Sequence, residues 1–275
     1  MTTEFVTVFG EYAAQVLPWF FVGLIAATIV ERRFGGKALP AYFRTYHPSG
    51  VAMLLLAGMI SPLSVLSGLP LAAQLIRQGA HPALLLSFFA AERVYDLHSF
   101  PIIGSIFGWK FAVVNALIVF IALFAASWSV KENVITYREH SEAVVEHNMW
   151  KGHATMLFVV MVGIAVAALF RVLVPADVFL HSAGSFVGSV VTALLLGFFL
   201  YVGTIAGNYP LASAFSDLGM HAAGLMTFLS ASSLLNVIIA LMFASSISPR
   251  VVAKYFLVYG GVATILSVVW ATLLG

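Results

Sequence analysis

The chain has 275 residues with a net charge of +2, and 61% of them are hydrophobic while 9% are charged, where a soluble domain carries about a quarter charged residues. That balance excludes a water-solvated globule, and no Lys and Arg run is long enough for a nucleic-acid surface. Cysteine is absent, which excludes a disulfide framework, a thiolate metal site and a cysteine nucleophile.

The first apolar segment, Ala13 to Val30, follows Glu4 and Glu11 and precedes Glu31, Arg32 and Arg33. This is the reverse of a secretory signal with its basic start, so the segment is expected to stay as a membrane helix. Apolar runs close to the ~18 residues needed to cross hydrocarbon then recur. They predict helices near 49–67, 69–78, 81–107 with an interruption, and 111–130. A polar stretch from Lys131 to Lys151 follows, and further helices are predicted near 153–172, 186–206, 209–218, 221–246 and 251–273.

The two sets share a register. A shift of 140 residues brings Gly23 onto Gly163, Ser49 onto Ser189 and Pro70, Leu71 and Ala72 onto Pro210, Leu211 and Ala212. It also brings Gly79 onto Gly219, His81 onto His221 and Phe88 onto Phe228. Internal repeats of this length are a common plan for transporters. The predicted organisation is a first membrane repeat over 1–130, a cytoplasmic linker over 131–152 and a second membrane repeat over 153–275. Arg32, Arg33, Lys37 and Arg44 follow the first helix, whereas the matching stretch carries Arg171 beside Asp177. Because basic residues favour the cytoplasmic side, residues 31 to 48 are expected inside, 171 to 185 outside, and the two units inverted.

Pro62, Gly68 and Pro70 in the first unit, and Gly203, Gly207 and Pro210 in the second, fall inside apolar sequence. Backbone groups freed there cannot be left to lipid. Paired helix breaks expose half-helix ends to a shared midplane site. Ser64, Ser67 and Thr204 beside them offer hydroxyls to a polar or anionic solute.

The segment from Gly58 to Phe89, GMISPLSVLSGLPLAAQLIRQGAHPALLLSFF, and its echo from Gly203 to Asn236 resemble permeases of the organoarsenical-permease (DUF318) type. The resemblance implies a helical membrane fold and solute transport. That family's first break reads Pro-x-Cys-Ser-Cys-Gly-x-x-Pro. Here the prolines stand at Pro62 and Pro70 with Ser64 and Leu66 at the cysteine positions. The thiol chemistry of the motif is therefore not carried over.

Glu92, Arg93, Asp96 and His98 form the densest ionisable cluster in otherwise apolar sequence. Insertion of a charge into hydrocarbon costs at least ~2.5 kcal/mol, so such residues face a cavity or a partner, or lie in a turn outside the bilayer. Glu92 and Asp96 share a helical face and are candidates for proton coupling, with Arg93 as their partner or an anion contact. The matching second-half positions Ser232, Ser233 and Asn236 are polar and are candidate substrate contacts. His81 and His221 fit helix caps. His140, His147 and His153 are spaced poorly for a metal site.

These features predict an all-α, polytopic transmembrane bundle of two inverted repeats with broken helices, about 8 to 10 membrane segments in all. The expected activity is alternating-access transport of a small solute, an anion or metalloid compound among the candidates, with proton coupling. No HExxH, GxSxG, CxxCH or GxxxxGK[ST] string is present, so no enzyme, no cofactor and no metal are expected. The competing roles are a non-transporting subunit that anchors or gates a partner complex, and an intramembrane redox protein. The expected partners are the lipid bilayer, a small-molecule substrate and a second copy in a homodimer. The expected location is the cell membrane, the inner one in a Gram-negative bacterium.

Overall fold

A computed structural model describes residues 2–34, 45–61, 81–131, 149–173, 175–199, 207–246 and 248–273. Those residues form twelve α-helices, and no strand is found among them. In the first half these are α1 (Thr2–Phe34), α2 (Pro48–Met59), α3 (Pro82–Val94), α4 (Ser99–Phe107) and α5 (Trp109–Ser129). In the second they are α6 (Met149–Leu173), α7 (Ala176–Ala183), α8 (Phe186–Phe199), α9 (Asn208–Asp217), α10 (Ala222–Ala231), α11 (Val237–Ser246) and α12 (Pro249–Leu273).

Local chemistry explains the helix ends. Pro48, Pro82 and Pro249 stand at the start of α2, α3 and α12, where the missing N–H has no intrahelical acceptor and the fixed φ is already helical. Helix α9 closes on Gly219, at φ +87°, with Met220 N–H bonded to the Phe215 carbonyl and Gly219 N–H to that of Ser216. A glycine holds that left-handed position at no steric cost.

Helices α5 and α12 are long and apolar enough to cross a membrane, and a bent pair drawn from α6 and α7 makes a third span if it is counted as one. Trp109 and Trp128, 52% and 44% exposed, mark the two ends of α5. At ~1.5 Å per residue they stand about 29 Å apart, which matches a hydrocarbon core of about 30 Å between two aromatic belts.

The core is built around α5 packed on α12. Helices α3 and α4 lie against α5, while α10 and α11 lie against α12. Helix α2 packs on α3 and α8 packs on α10, and α1, α6 and α9 form a further layer. The tightest approaches use glycine. A Cβ on Gly224 would meet the Ser189 Cβ at 2.6 Å and its carbonyl oxygen at 2.7 Å, and one on Gly58 would strike the Phe88 carbonyl oxygen. Small residues let helix backbones approach where lipid offers no hydrophobic drive.

Helices α3 and α10 start 140 residues apart, as do α5 and α12. Side chains repeat at the same interval. His81 Nδ1 accepts from the Ala83 N–H at 3.3 Å and His221 Nδ1 from the Ala223 N–H at 3.1 Å. Each histidine meets an aromatic ring edge-on, Tyr46 at 5.6 Å and Phe186 at 5.3 Å. Burial pushes the Tyr46 hydroxyl up. Ser127 Oγ donates to the Leu123 carbonyl at 2.7 Å and Ser267 Oγ to that of Ala263 at 2.8 Å.

Two expected helix bounds change. Helix α1 begins at Thr2, well before the apolar run, because the polar residues of its first turns remain exposed. The stretch from 171 to 185 contains α7, which follows Pro175 and carries Asp177 in its first turn and His181 in its last, both favourable to the helix dipole. The segment expected as helix near 221–246 forms two helices, α10 and α11. The linker residues 132–148 lie outside the described residues, as do Pro62, Ser64, Ser67, Gly68, Pro70, Gly203 and Thr204.

Candidate functional site

Two matched interruptions lie within the described residues. Helix α3 stops at Val94 and α4 starts at Ser99, and helix α10 stops at Ala231 and α11 starts at Val237. They fall at equivalent points of the two halves and contain Asp96 in the first, and Ser232, Ser233 and Asn236 in the second.

The first interruption is organised by Asp96. Its Oδ1 accepts from the His98 N–H at 3.0 Å, the Ser99 N–H at 2.8 Å and the Ser99 hydroxyl at 2.8 Å, while Ser99 Oγ accepts from the Asp96 N–H at 3.0 Å. This reciprocal pairing is a capping box with serine as its second member, and it satisfies backbone donors at the start of α4. His98 Nδ1 lies 3.6 Å from Asp96 Oδ2. From the second half, the buried Tyr209 hydroxyl donates to Ser99 Oγ. Tyr209 is the second residue of α9, between the predicted break residues Gly207 and Pro210, so one contact chain joins a break residue's neighbour to Asp96. Pro210 itself sits in the first turn of α9, where it starts the helix at no loss of a hydrogen bond.

Glu92 and Arg93 occupy the last turn of α3. Glu92 Oε2 is buried with no hydrogen-bond partner among the described residues, and so is the Tyr95 hydroxyl. The site thus holds a carboxylate oxygen and a phenol whose bonding capacity is open beside a carboxylate whose Oδ1 is fully engaged.

The second interruption is tied to α8. Ser232 Oγ donates to the Ala193 carbonyl at 3.2 Å, Asn236 Nδ2 to that of Gly197 at 3.0 Å, and Ser233 Oγ back to Leu229 of α10 at 3.0 Å. A Cβ on Gly197 would collide with the Ser232 side chain. These polar groups hold the bent chain against α8. Sequence reasoning missed Ser99, Tyr95 and Tyr209. The signal for Ser99 was present, since Asp-x-x-Ser is the spacing of a capping box; nothing in the sequence marks Tyr209 apart from other aromatics.

No group of three or more His, Cys, Asp or Glu side chains suited to a metal occurs among the described residues. A chain whose described residues include two or three apolar spans, discontinuous helices and ionisable groups at a break has the features of a membrane transporter. A family model described as a predicted permease, ArsP_1, matches residues 132–272, just over half of the chain, and the chain belongs to that family. The match covers the linker and the second half, whereas the resemblance read from the sequence drew on both halves. No curated protein and no solved structure matches the chain.

Proposed function

We propose that the protein is a permease that moves a small polar solute by alternating access, its two inverted units rocking about a site formed at their paired helix breaks. Membership of the predicted permease family carries this reading and favours a transporter over an enzyme. The repeated helix starts, histidine caps and ring contacts support a division into units over 1–130 and 153–275, joined by 131–152. The expected setting is a multi-pass chain in the cell membrane.

Within the site, Glu92 is the stronger proton carrier, because its Oε2 is free to take a proton while Asp96 Oδ1 is committed to capping α4. Arg93 neighbours both carboxylates and is assigned as their counter-charge or an anion contact. Ser64, Ser67 and Thr204 complete the proposed solute contacts from the breaks outside the described residues. Proteoliposomes with an imposed pH gradient test the assignment. Glu92→Gln is expected to abolish the dependence of solute uptake on the gradient, and full pH-dependent uptake by both Glu92→Gln and Asp96→Asn would rule out the proton role.

A further inference from the structure

Two sets of polar residues occupy equivalent positions of the two halves, and hydrogen bonds join all three members of one set but not those of the other. In the closed cluster Ser87 Oγ of α3 donates to Ser127 Oγ of α5 at 2.8 Å, and Ser127 Oγ lies 3.2 Å from the Tyr255 hydroxyl of α12. Ser87 Oγ also reaches the Ala83 carbonyl at 2.8 Å, and the Tyr46 hydroxyl donates to the Ser127 carbonyl at 3.2 Å. The same three positions, moved by the repeat interval, are Thr227 of α10, Ser267 of α12 and Asn115 of α5.

In this second set the tyrosine is replaced by an asparagine, whose carboxamide reaches less far than a hydroxyphenyl group, and the chain of hydrogen bonds does not close. Asn115 Nδ2 donates to Ser230 Oγ at 2.9 Å and lies 3.7 Å from Met226 Sδ. Asn115 Oδ1 and Thr227 Oγ1 have no hydrogen-bond partner among the described residues. Asn115 is 1% exposed and Thr227 and Ser230 are fully buried. Thr227 precedes Ser230 by three residues, the spacing of neighbours on a helix surface. The Tyr259 hydroxyl donates to the Ser230 carbonyl and fixes that turn. Buried polar atoms without partners are destabilising, most of all in a protein surrounded by lipid.

We propose that Asn115, Thr227 and Ser230 form a solute subsite for a small neutral polyhydroxyl compound. An amide oxygen requires a donor, and a threonine hydroxyl both gives and accepts, so adjacent hydroxyls of one molecule answer both open groups. None of the contacts of Asn115 carries a charge, and an ionic solute there would lie uncompensated in a low-dielectric interior. The subsite joins α5 of the first half to α10 of the second, where relative movement of the halves would open or close it. The assignment rests on the permease reading and narrows its substrate class.

Counterflow in proteoliposomes of the full chain tests it. Vesicles loaded with unlabelled erythritol, or with phosphate, are diluted into the labelled compound, and accumulation of label reports exchange without any imposed gradient. Erythritol label is expected to accumulate with the native chain and to fall at least tenfold with Thr227→Val and with Asn115→Leu, each first shown to elute as a monodisperse peak. Thr227→Ser, which keeps the hydroxyl, is expected to retain most of the exchange. Phosphate exchange without erythritol exchange, or exchange of neither, overturns the neutral-solute assignment and leaves the permease reading to its own test by gradient-dependent uptake. Erythritol exchange that is unchanged in Thr227→Val, or lost equally in Thr227→Ser, overturns the subsite.

Discussion

Asp96 combines two demands on one carboxylate, and they separate by substitution. Its Oδ1 caps α4 through the His98 and Ser99 backbone, a role that a neutral amide also fills, since asparagine is as good a cap as aspartate. Asp96→Ala removes the cap and is expected to cost about 1 kcal/mol, seen as a melting temperature lower by a few degrees in detergent. Asp96→Asn should melt close to the native chain. A large loss of stability in Asp96→Asn would show instead that the charge itself, facing His98 at 3.6 Å, holds the break together. Tyr209→Phe is a separate test of the bridge between the halves. It removes the bond to Ser99 and nothing else of the ring's packing, so it should cost about 1 kcal/mol. An unchanged melting curve would count against the bridge. A second tie of this kind joins α1, α6 and α9, where the Tyr12 hydroxyl donates to Asp217 Oδ2 at 2.8 Å and Arg171 Nε lies 3.9 Å from the same oxygen. Because Arg171 and Asp217 are well exposed, that ion pair adds little compared with the tyrosine bond.

At the scale of elements, glycine positions discriminate between packing and propensity. Gly224→Ala drives a methyl into the Ser189 backbone, with 2.9 Å to its carbonyl carbon, and neither α8 nor α10 has a flexible side chain there to yield. A loss of about 1–3 kcal/mol is expected, as for other overpacked cores. Gly261 of α12 has nothing within 4 Å of an added Cβ, so Gly261→Ala should be neutral or stabilising by up to about 1 kcal/mol, the helix preference of alanine over glycine. Thermal melting of both variants in one detergent checks the pair, and equal effects would contradict the close α8 and α10 packing. The helices that were legible in the sequence are those with long uninterrupted apolar runs, α5 and α12 above all, and those with a punctuating residue, such as α3 after His81 and α9 before Gly219. The break between α10 and α11 was not legible. Its residues, Ser232 to Asn236, include neither Gly nor Pro, and the chain bends there because Ser232 and Asn236 find acceptors on α8, a tertiary cause that local composition does not carry. The site was half legible for the same reason. Unusual charges at Glu92 to Asp96 announce themselves in apolar sequence, whereas Asn115 and Thr227 acquire meaning only when burial shows which of their atoms lack partners.

For the whole molecule the decisive quantity is the relative orientation of the two halves, and the sequence supplies an unusually clean way to measure it. The chain contains no cysteine, so any single introduced cysteine reports alone. Lys110 and Arg250 stand at equivalent positions, one residue into α5 and α12, and both helices are long enough to span the bilayer. If the halves are inverted, these two equivalent ends face opposite sides. If the halves are parallel, they face the same side. With residues 31 to 48 inside and the units inverted, as expected from the basic residues after the first helix, α5 would run from outside to inside and Lys131, just beyond its end, would lie within. Lys131→Cys and Arg250→Cys are therefore expected to react with a membrane-impermeant maleimide only in inverted vesicles, and Lys110→Cys only in intact spheroplasts. Labelling of Lys110→Cys and Arg250→Cys from one and the same side would refute inversion, and with it the rocking of antiparallel units, while leaving membership of the permease family untouched. The two outer tryptophans of α5 offer a depth scale for this experiment: a cysteine between Trp109 and Trp128 on the exposed face, as at Leu117, is expected in hydrocarbon and should resist the reagent from either side.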